Sequence, residues 1–312
     1  MALRLFVGFA TLFFVVQAAH AVRPGEVSTT AEAVCGFRAL AAQHPDPKLR
    51  NPDDFAAKIC RWQSPLPRDY MSARPMIDQT ETYATFFFVN ARTHYIDAAL
   101  KKAAADGVTQ AVVLGAGFDT RAYRFRASLP QVRFFEVDLP ATIEAKKARI
   151  TEALGGLPDY VRYAPIDFNT QKLGDVLLPL GYDPKQRTFF LLEGVVMYVV
   201  EAGNIATFDF IRANSAPGSV VIYDYVLQDV IQGKTKRYYA AAYLAYSVER
   251  AGEPFVSGWT PREAAAWARK RGLRVVEDVD HRELTRRHLT GSNGKPDGRV
   301  FDWSRLIEAR VP

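Results

Sequence analysis

Hydrophobic positions alternate between two spacings from about residue 110 onward. Short apolar runs typical of strands are separated by stretches with the three-to-four-residue spacing of amphipathic helices, such as Ala141–Leu154 and Glu201–Asn214. This alternation predicts an α/β fold with a mainly parallel sheet and helices on both faces. The first five predicted strands are Ala111–Leu114, Val132–Val137, Val161–Ile166, Thr188–Leu192 and Ser219–Tyr225. Two later runs, Leu273–Val279 and Arg299–Trp303, predict a hairpin at the sheet edge.

The chain before the first strand is mostly helical in pattern. The predicted helices are Ser28–Gln43, Asp53–Trp62 and Thr80–Ala105, and Thr29-x-x-Glu32 has the spacing of a capping box at the start of the first. The proline-rich stretch Gln63–Pro75 predicts a loop that could lie over a cleft. Residues 22–109 are therefore expected to form a helical cap and a lead-in helix.

A helical insertion is predicted at residues 227–258, within an α/β core of residues 110–312. It places Tyr239, Tyr243 and Tyr246 on one helical face, where they form either ordinary core or an aromatic wall over a substrate. A further helix is expected to begin at Thr260-Pro261-Arg262-Glu263, with threonine as its cap.

Met1–Ala21 has the pattern of an export signal. Arg4 precedes the apolar run Leu5–Val16, and Ala19-His20-Ala21 matches a cleavage site. The run is short for a membrane span. An uncleaved anchor and a misassigned start codon are the alternatives, and no other span is expected.

Composition narrows the possible functions. The 312 residues are 48% hydrophobic and 24% charged, which fits a single globular domain over residues 22–312. The net charge of +6 is scattered, so we expect no nucleic-acid partner. The spacings of Cys35 and Cys60, and of His281 and His288, match no common zinc pattern, and no metal site is expected. Buried cysteines are the favoured interpretation, with their pairing left open.

Glycines and acids follow four of the predicted strands. Gly115 and Gly117 follow the first strand, with Ala116 between them, and Asp138, Asp167 and Glu193 stand at the ends of the next three. The carboxyl ends of parallel strands meet at one edge of a sheet, where α/β proteins bind ligands. Asp138 lies about 20 residues beyond the glycines, the spacing at which an acid binds a ribose.

The absence of a third glycine after the first strand helps to identify the ligand. The dinucleotide fingerprint GxGxxG would need its third glycine at Thr120, which weighs against NAD or FAD. A cleft ringed by carboxylates suits a ligand without phosphate, with two ribose hydroxyls and a positive centre. S-adenosylmethionine fits that description.

Several motifs together resemble the leucine carboxyl methyltransferase family of class I methyltransferases, which use S-adenosylmethionine. They are LGAGFDTRAYRF at 114–125, FFEVDLP at 134–140, Ile166-Asp167, LLEGVVMY at 191–198, STTAEAVCGFRAL at 28–40 and ARTHYID at 91–97. The resemblance implies a Rossmann-like, seven-stranded, mainly parallel sheet and an O-methyltransferase activity.

The resemblance also implies roles for individual residues. Arg92 would hold the cofactor's carboxylate and Glu193 its amino group. The turn Gly115-Ala116-Gly117 would lie under the methionine moiety, Asp138 would bind the ribose, and Asp167 with Phe168 would bind the adenine. Members that methylate a phosphatase carry a lysine near the chain start; this chain has none at the matching positions, 29–32.

The methyl acceptor is expected to be a small molecule or a peptide carboxylate. A carboxylate needs no general base, whereas a hydroxyl does, and the sequence offers no clear one. Tyr198, Tyr223 and Tyr225 are predicted to line the acceptor pocket, with burial in the core as the alternative. The export signal conflicts with a cytosolic cofactor, and the alternatives to a methyltransferase are a nicotinamide-dependent oxidoreductase and a non-catalytic binding protein.

Overall fold

Seven strands form one mixed sheet at the centre of the computed structural model, which describes residues 25–61, 64–168 and 170–312. The order across the sheet is β3-β2-β1-β4-β5-β7-β6. The first five strands are mutually parallel, and β7 is antiparallel to both of its neighbours. The strands are β1 Gln110–Leu114, β2 Arg133–Asp138, β3 Val161–Pro165, β4 Thr188–Leu192, β5 Val220–Val226, β6 Arg274–Val279 and β7 Ser304–Arg310.

The five parallel strands confirm the sequence prediction to within one residue at each end. Every residue of β1, β4 and β5 is buried, as expected for parallel strands covered by helices on both faces. The predicted export signal, Met1–Ala21, lies outside the described residues.

The last strand differs from the prediction. Arg299–Trp303 is not a strand; the strand begins at Ser304 and lies between β5 and β6 instead of at the edge. The helix His281–His288 separates β6 from β7, so the two do not form a tight hairpin. The apolar residues that prompted the strand prediction, Phe301 and Trp303, are buried for another reason: they line a cavity.

Twelve α-helices cover the two faces of the sheet in the part of the chain that the structure describes. One core contains β-strand residues such as Val113 with the N-terminal helices, and the other contains their neighbours, such as Val112, with the helices that follow β3 and β4. The helices are α1 Thr29–Ala41, α2 Ala56–Ile59, α3 Tyr70–Gln79, α4 Ala84–Ala105, α5 Arg121–Arg124, α6 Pro140–Leu154, α7 Leu173–Leu177, α8 Glu201–Ala213, α9 Gln228–Ile231, α10 Ala241–Arg250, α11 Pro261–Lys270 and α12 His281–His288.

Three N-terminal predictions need correction. The cap of α1 is Ser28, whose side chain accepts the amide of Ala31, while Glu32 bonds Arg149 instead of closing a capping box. The second predicted helix shrinks to the four residues of α2. The proline-rich stretch is only partly a loop, since α3 contains Pro75. The capping box predicted at Thr260 and Glu263 is present.

A disulfide joins α1 to the end of α2. It links Cys35, which is fully buried, to Cys60, with 5.7 Å between the two Cα atoms. The bridge fixes a helix that lines the cavity described below. Across the described residues, no helix is long and apolar enough to cross a membrane, and no group of three or more histidine, cysteine or acidic residues could hold a metal ion.

Candidate active site

A cavity of about 530 Å³ opens at the carboxyl ends of the parallel strands. It lies where the strand order reverses, next to β1 and β4. Most of the residues predicted from the sequence are brought together there. These are Arg92, Gly115, Ala116, Gly117, Asp138, Asp167, Phe168, Glu193 and Tyr198.

The glycine turn after β1 leaves no room for a side chain. Gly115 has φ +65°, and a Cβ on it would come within 2.3 Å of Val195 Cγ2. The amide of Ala116 donates to the carbonyl of Val137 at the end of β2, 2.9 Å away. Buried Lys146 donates to the carbonyl of Ala116 at 3.3 Å. The turn is therefore fixed to β2 and α6 from behind, with its other side toward the cavity.

Asp138 closes the same turn from the end of β2. Its Oδ2 accepts the amide of Gly117 at 2.5 Å and its Oδ1 accepts the amide of Leu139 at 2.6 Å. Burial raises the pKa of Asp138 despite these two bonds. Each carboxylate oxygen can accept a second hydrogen bond, so Asp138 can still bind hydroxyls in the cavity.

Arg92 is buried in a network of ion pairs. Its Nε lies 2.9 Å from Glu193 Oε1, and its Nη1 lies 2.6 Å from Asp224 Oδ2. Sequence reasoning alone would place this arginine on a water-facing side of a helix; the network explains why α4 turns it inward. Arg121 supplies a second guanidinium, with Nη1 2.7 Å from Glu193 Oε2.

The two acids of this network differ in their protonation behaviour. Burial alone would raise the pKa of Glu193, but Arg121 and Arg92 together lower it. Burial raises the pKa of Asp224, although Arg92 and the amide of Gly194 oppose the shift. Sequence analysis missed Asp224, and the signal was present: it is a lone acid inside the apolar strand β5.

Glu253 forms the roof of the cavity. Its carboxylate accepts the amide of Thr29 at 2.9 Å, the hydroxyl of Ser28 at 3.2 Å, and the hydroxyl of Thr30. It lies just after α10 and is only 3% exposed, and burial raises its pKa. This acid thus ties the insertion between β5 and β6 to the first residues of α1. Nothing in its local sequence identified it.

A series of aromatic rings in mutual contact lines the cavity. Phe301 packs on Phe88 and on Trp303, with ring centroids 4.5 and 4.4 Å apart. Trp303 continues to Phe255 and Phe255 to Tyr198, at 5.9 and 5.4 Å. These five residues are called the aromatic wall below. Tyr83 and Tyr243 line the cavity as well.

Two of the three predicted acceptor tyrosines lie elsewhere. Tyr223 and Tyr225 are fully buried on the opposite face of β5, where Tyr223 packs on Phe208 and Tyr225 donates to Asp278. Side chains alternate along a strand, so it is Asp224 and Val226 that reach the cavity. Of the predicted stripe in the insertion, Tyr243 lines the cavity, Tyr246 is exposed, and Tyr239 precedes α10.

A seven-stranded sheet with an antiparallel β7 between β5 and β6, and with a glycine turn and acids at its strand ends, is the fold of class I methyltransferases. A crystal structure of a DUF574 family protein from Streptomyces avermitilis shares this fold. The two align with a TM-score of 0.55 at 16% identity, over 83% of this chain and 95% of that one.

The family model for leucine carboxyl methyltransferase matches residues 31–212. This is more than half of the chain, which therefore belongs to the leucine carboxyl methyltransferase family. Two similar bacterial proteins are candidate S-adenosyl-L-methionine-dependent methyltransferases. YktD of Bacillus subtilis is 29% identical over 70% of this chain and 71% of its own length. The other, from Mycolicibacterium smegmatis, is 32% identical over 68% of this chain and 71% of its own.

Family and fold together establish the general activity. The chain is an S-adenosylmethionine-dependent methyltransferase, and S-adenosylmethionine is its cofactor.

Proposed function

We propose that this enzyme transfers the methyl group to an oxygen of a carboxylate. The observation that carries the proposal is the absence of a ready base. Among the described residues, no histidine or lysine lines the cavity. Six carboxylates of the described chain line the cavity. Those of Asp119, Asp138, Glu193, Asp224 and Glu253 are held in hydrogen bonds or ion pairs, and the sixth, Asp167, is proposed below to contact the adenine. A carboxylate acceptor is already ionised and needs no proton removed, whereas an alcohol would.

The residues present fit S-adenosylmethionine. Buried Glu193 Oε1 and Arg92 Nε have no hydrogen-bond partner within the described chain, although they lie 2.9 Å apart as an ion pair. An ammonium and a carboxylate are the groups that such a pair can bind in addition to each other. Arg92 has five N–H donors, and its two ion pairs use only Nε and Nη1.

Different residues of the chain would contact different parts of the cofactor. Glu193 would hold the ammonium and Arg92 the carboxylate of the methionine part, which would lie over the turn 115–117. Asp138 would accept the ribose hydroxyls, and Asp167 with Phe168 would contact the adenine. These residues lie at the carboxyl ends of four neighbouring strands or, for Arg92, within α4, and all of them line one cavity, so a single ligand would span them.

The bound cofactor supplies a methyl group activated by a positive sulfur. The protein's task is then to align the acceptor oxygen with that methyl group and to exclude water. The aromatic wall and the Glu253 roof remove water from the acceptor side. A carboxylate that loses its hydration there becomes more reactive toward a cationic methyl donor.

Labelled methyl transfer tests the proposal. The enzyme would be incubated with methyl-labelled S-adenosylmethionine and paired acceptors, benzoate against phenol and 2-naphthoate against 2-naphthol. We expect label in a methyl ester, which mild alkali converts to volatile methanol. Label confined to alkali-stable ethers from the hydroxyl partners would contradict carboxylate methylation while leaving methyl transfer itself intact.

A further inference from the structure

We propose, resting on the function proposed above, that the acceptor is a small aromatic acid with one negative charge, selected by the aromatic wall with Trp303 as its specificity residue. Three observations on the described residues carry this inference: the continuity and rigidity of the wall, the commitment of both cavity arginines to partners within the chain, and the lack of peptide-backbone partners along the ring faces.

The wall is continuous and held in place. Its five rings form an unbroken series of contacts from Phe88 to Tyr198. Trp303, which is 2% exposed, donates its indole N–H to the carbonyl of Tyr239 at 2.9 Å. Its own carbonyl accepts the amide of Leu227 at 2.8 Å. A rigid series of rings binds another flat ring through offset or edge contacts at little entropic cost.

The charges around the cavity limit the acceptor to one anionic group. Arg38 and Arg92 are the two cations that line the cavity within the described residues. Arg38 is bonded to Asp53 at 2.7 Å and to the carbonyl of Phe118, and Arg92 is held by two acids. A second anionic group on the acceptor would therefore be buried without a partner, which is costly. One carboxylate can be met by the positive sulfur of the bound cofactor and by hydroxyls such as that of Tyr198.

The ring faces of the aromatic wall carry no hydrogen-bond partners, and two serine hydroxyls that line the cavity already donate within the chain. Ser247 donates its hydroxyl to the carbonyl of Tyr243 at 2.8 Å, and Ser304 donates to the carbonyl of Tyr225 at 3.2 Å. A peptide laid along this surface would bury amides and carbonyls without partners. The Glu253 roof also ties the insertion to the start of α1, so these two segments do not separate freely to admit a long chain. A small molecule needs neither backbone partners nor such a separation.

Competing acceptors test the inference. Methyl transfer would be measured for 2-naphthoate, octanoate and a tripeptide that ends in leucine with a free carboxylate. We expect kcat/KM for 2-naphthoate to exceed that of both others by at least about tenfold. Preference for the tripeptide would overturn the inference in favour of a protein acceptor, and preference for octanoate would show that the wall does not select rings.

A matched pair of tryptophan variants tests whether Trp303 determines the preference for aromatic acids. Trp303→Leu should lower kcat/KM for 2-naphthoate by about 3- to 10-fold, the value of one aromatic contact, and should leave octanoate almost unchanged. Trp259→Leu is the control, because Trp259 packs on Tyr225 and Trp267 in the other core. Equal losses for both acids in Trp303→Leu would contradict a specificity role.

Calorimetric measurement of the affinity for S-adenosylmethionine distinguishes a failure of the inference about the acceptor from a failure of the proposed function. If the parent binds the cofactor and methylates an acid without preferring rings, only the inference about the acceptor fails. If the parent does not bind the cofactor, the proposed function fails as well.

Discussion

At the scale of single residues, one carboxylate holds the glycine turn in place and is also proposed to bind the cofactor. Asp138 accepts the amides of Gly117 and Leu139 while it lines the cavity. A substitution there changes the turn and the ligand contact together. Asparagine separates these effects, because it keeps one oxygen as acceptor but loses the charge.

Replacing Asp138 should weaken cofactor binding in steps. Asp138→Ala removes hydrogen bonds to a charged acceptor worth about 1.5–3 kcal/mol each, which corresponds to roughly 10- to 100-fold weaker binding. Asp138→Asn should lie between the parent and Asp138→Ala. Calorimetric titration with S-adenosylmethionine measures both, with exposed Asp175 changed to alanine as the control. Parent-like affinity in Asp138→Ala would rule out the ribose contact.

The Arg92 network should show strong coupling between its members. Arg92→Met leaves Asp224 and Glu193 buried without that partner and should cost about 3–5 kcal/mol of unfolding free energy. Asp224→Asn removes one of the two charges, so the double variant should lose clearly less than the sum of the single losses. Urea unfolding of the four proteins gives the coupling energy. Simple additivity would mean that the pair contributes no interaction energy to the fold.

Residue-level prediction succeeded where the position of a side chain follows from its place at a strand end. The acids after β2, β3 and β4 were found because parallel strands bring their carboxyl ends to one edge. The prediction for Tyr223 and Tyr225 was wrong because alternate side chains of β5 point to opposite faces of the sheet. Since β5 is buried on both faces, its sequence does not show which face lines the cavity. Glu253 was missed because its partners in α1 are more than 220 residues away in the chain.

At the scale of elements, the contact between Glu253 and α1 should make stability depend on pH. Burial raises the pKa of Glu253 above its ordinary value of 4.5. Asp138 faces it and disfavours its charge, whereas burial and Glu253 raise the pKa of Tyr198, which therefore stays neutral in the pH range where Glu253 titrates. A carboxyl group whose pKa is higher in the folded chain than in the unfolded chain stabilises the fold at low pH. This stabilisation is complete at pH values below the unfolded pKa and is lost as the pH rises through the folded pKa.

Glu253→Gln removes that titration. We expect the unfolding free energy of the parent, relative to Glu253→Gln, to fall as the pH rises from about 4 to about 8. Urea unfolding across this range measures the difference. A difference that stays constant with pH would show that Glu253 has the same pKa in the folded and unfolded chains.

The disulfide should be a major stabilising element of the N-terminal helices. The bridge spans a sequence separation of 25 residues, and closing a loop of this size stabilises the fold by about 3–4 kcal/mol. The variant Cys35→Ala/Cys60→Ala should lose about this amount in urea unfolding. Thiol titration of the unfolded, unreduced parent is the check: two reactive thiols would contradict the bridge.

Elements were predictable where hydrophobic spacing alone determines them. The five parallel strands are unbroken apolar runs, and most of the longer helices were found. The prediction of a strand at 299–303 was wrong because Phe301 and Trp303 are separated by a polar residue, as in a strand, yet the apolar pair faces a cavity. The pairing of Cys35 with Cys60 stayed open because spacing alone does not show which side chains meet in space.

At the scale of the whole molecule, the ligand preference should be visible in thermal stability. The helix after the glycine turn, α5, has only four residues, and Thr120 stands where a dinucleotide site needs glycine. Saturating S-adenosylmethionine, at about 100 times its Kd, should add about 2.7 kcal/mol and raise Tm by about 5 °C. NAD at the same concentration should not. A larger shift with NAD would favour the oxidoreductase alternative.

The position of β7 has a consequence for how the protein is made. During synthesis the ribosome releases β5 and then β6 before β7 exists, so β6 has no neighbour in the sheet until residues 304–310 arrive. The same late segment brings Phe301 and Trp303. A nascent chain can thus assemble the parallel half of the sheet, with its glycine turn, before Phe301 and Trp303 complete the aromatic wall. The order of translation places the proposed cofactor site ahead of the proposed acceptor site.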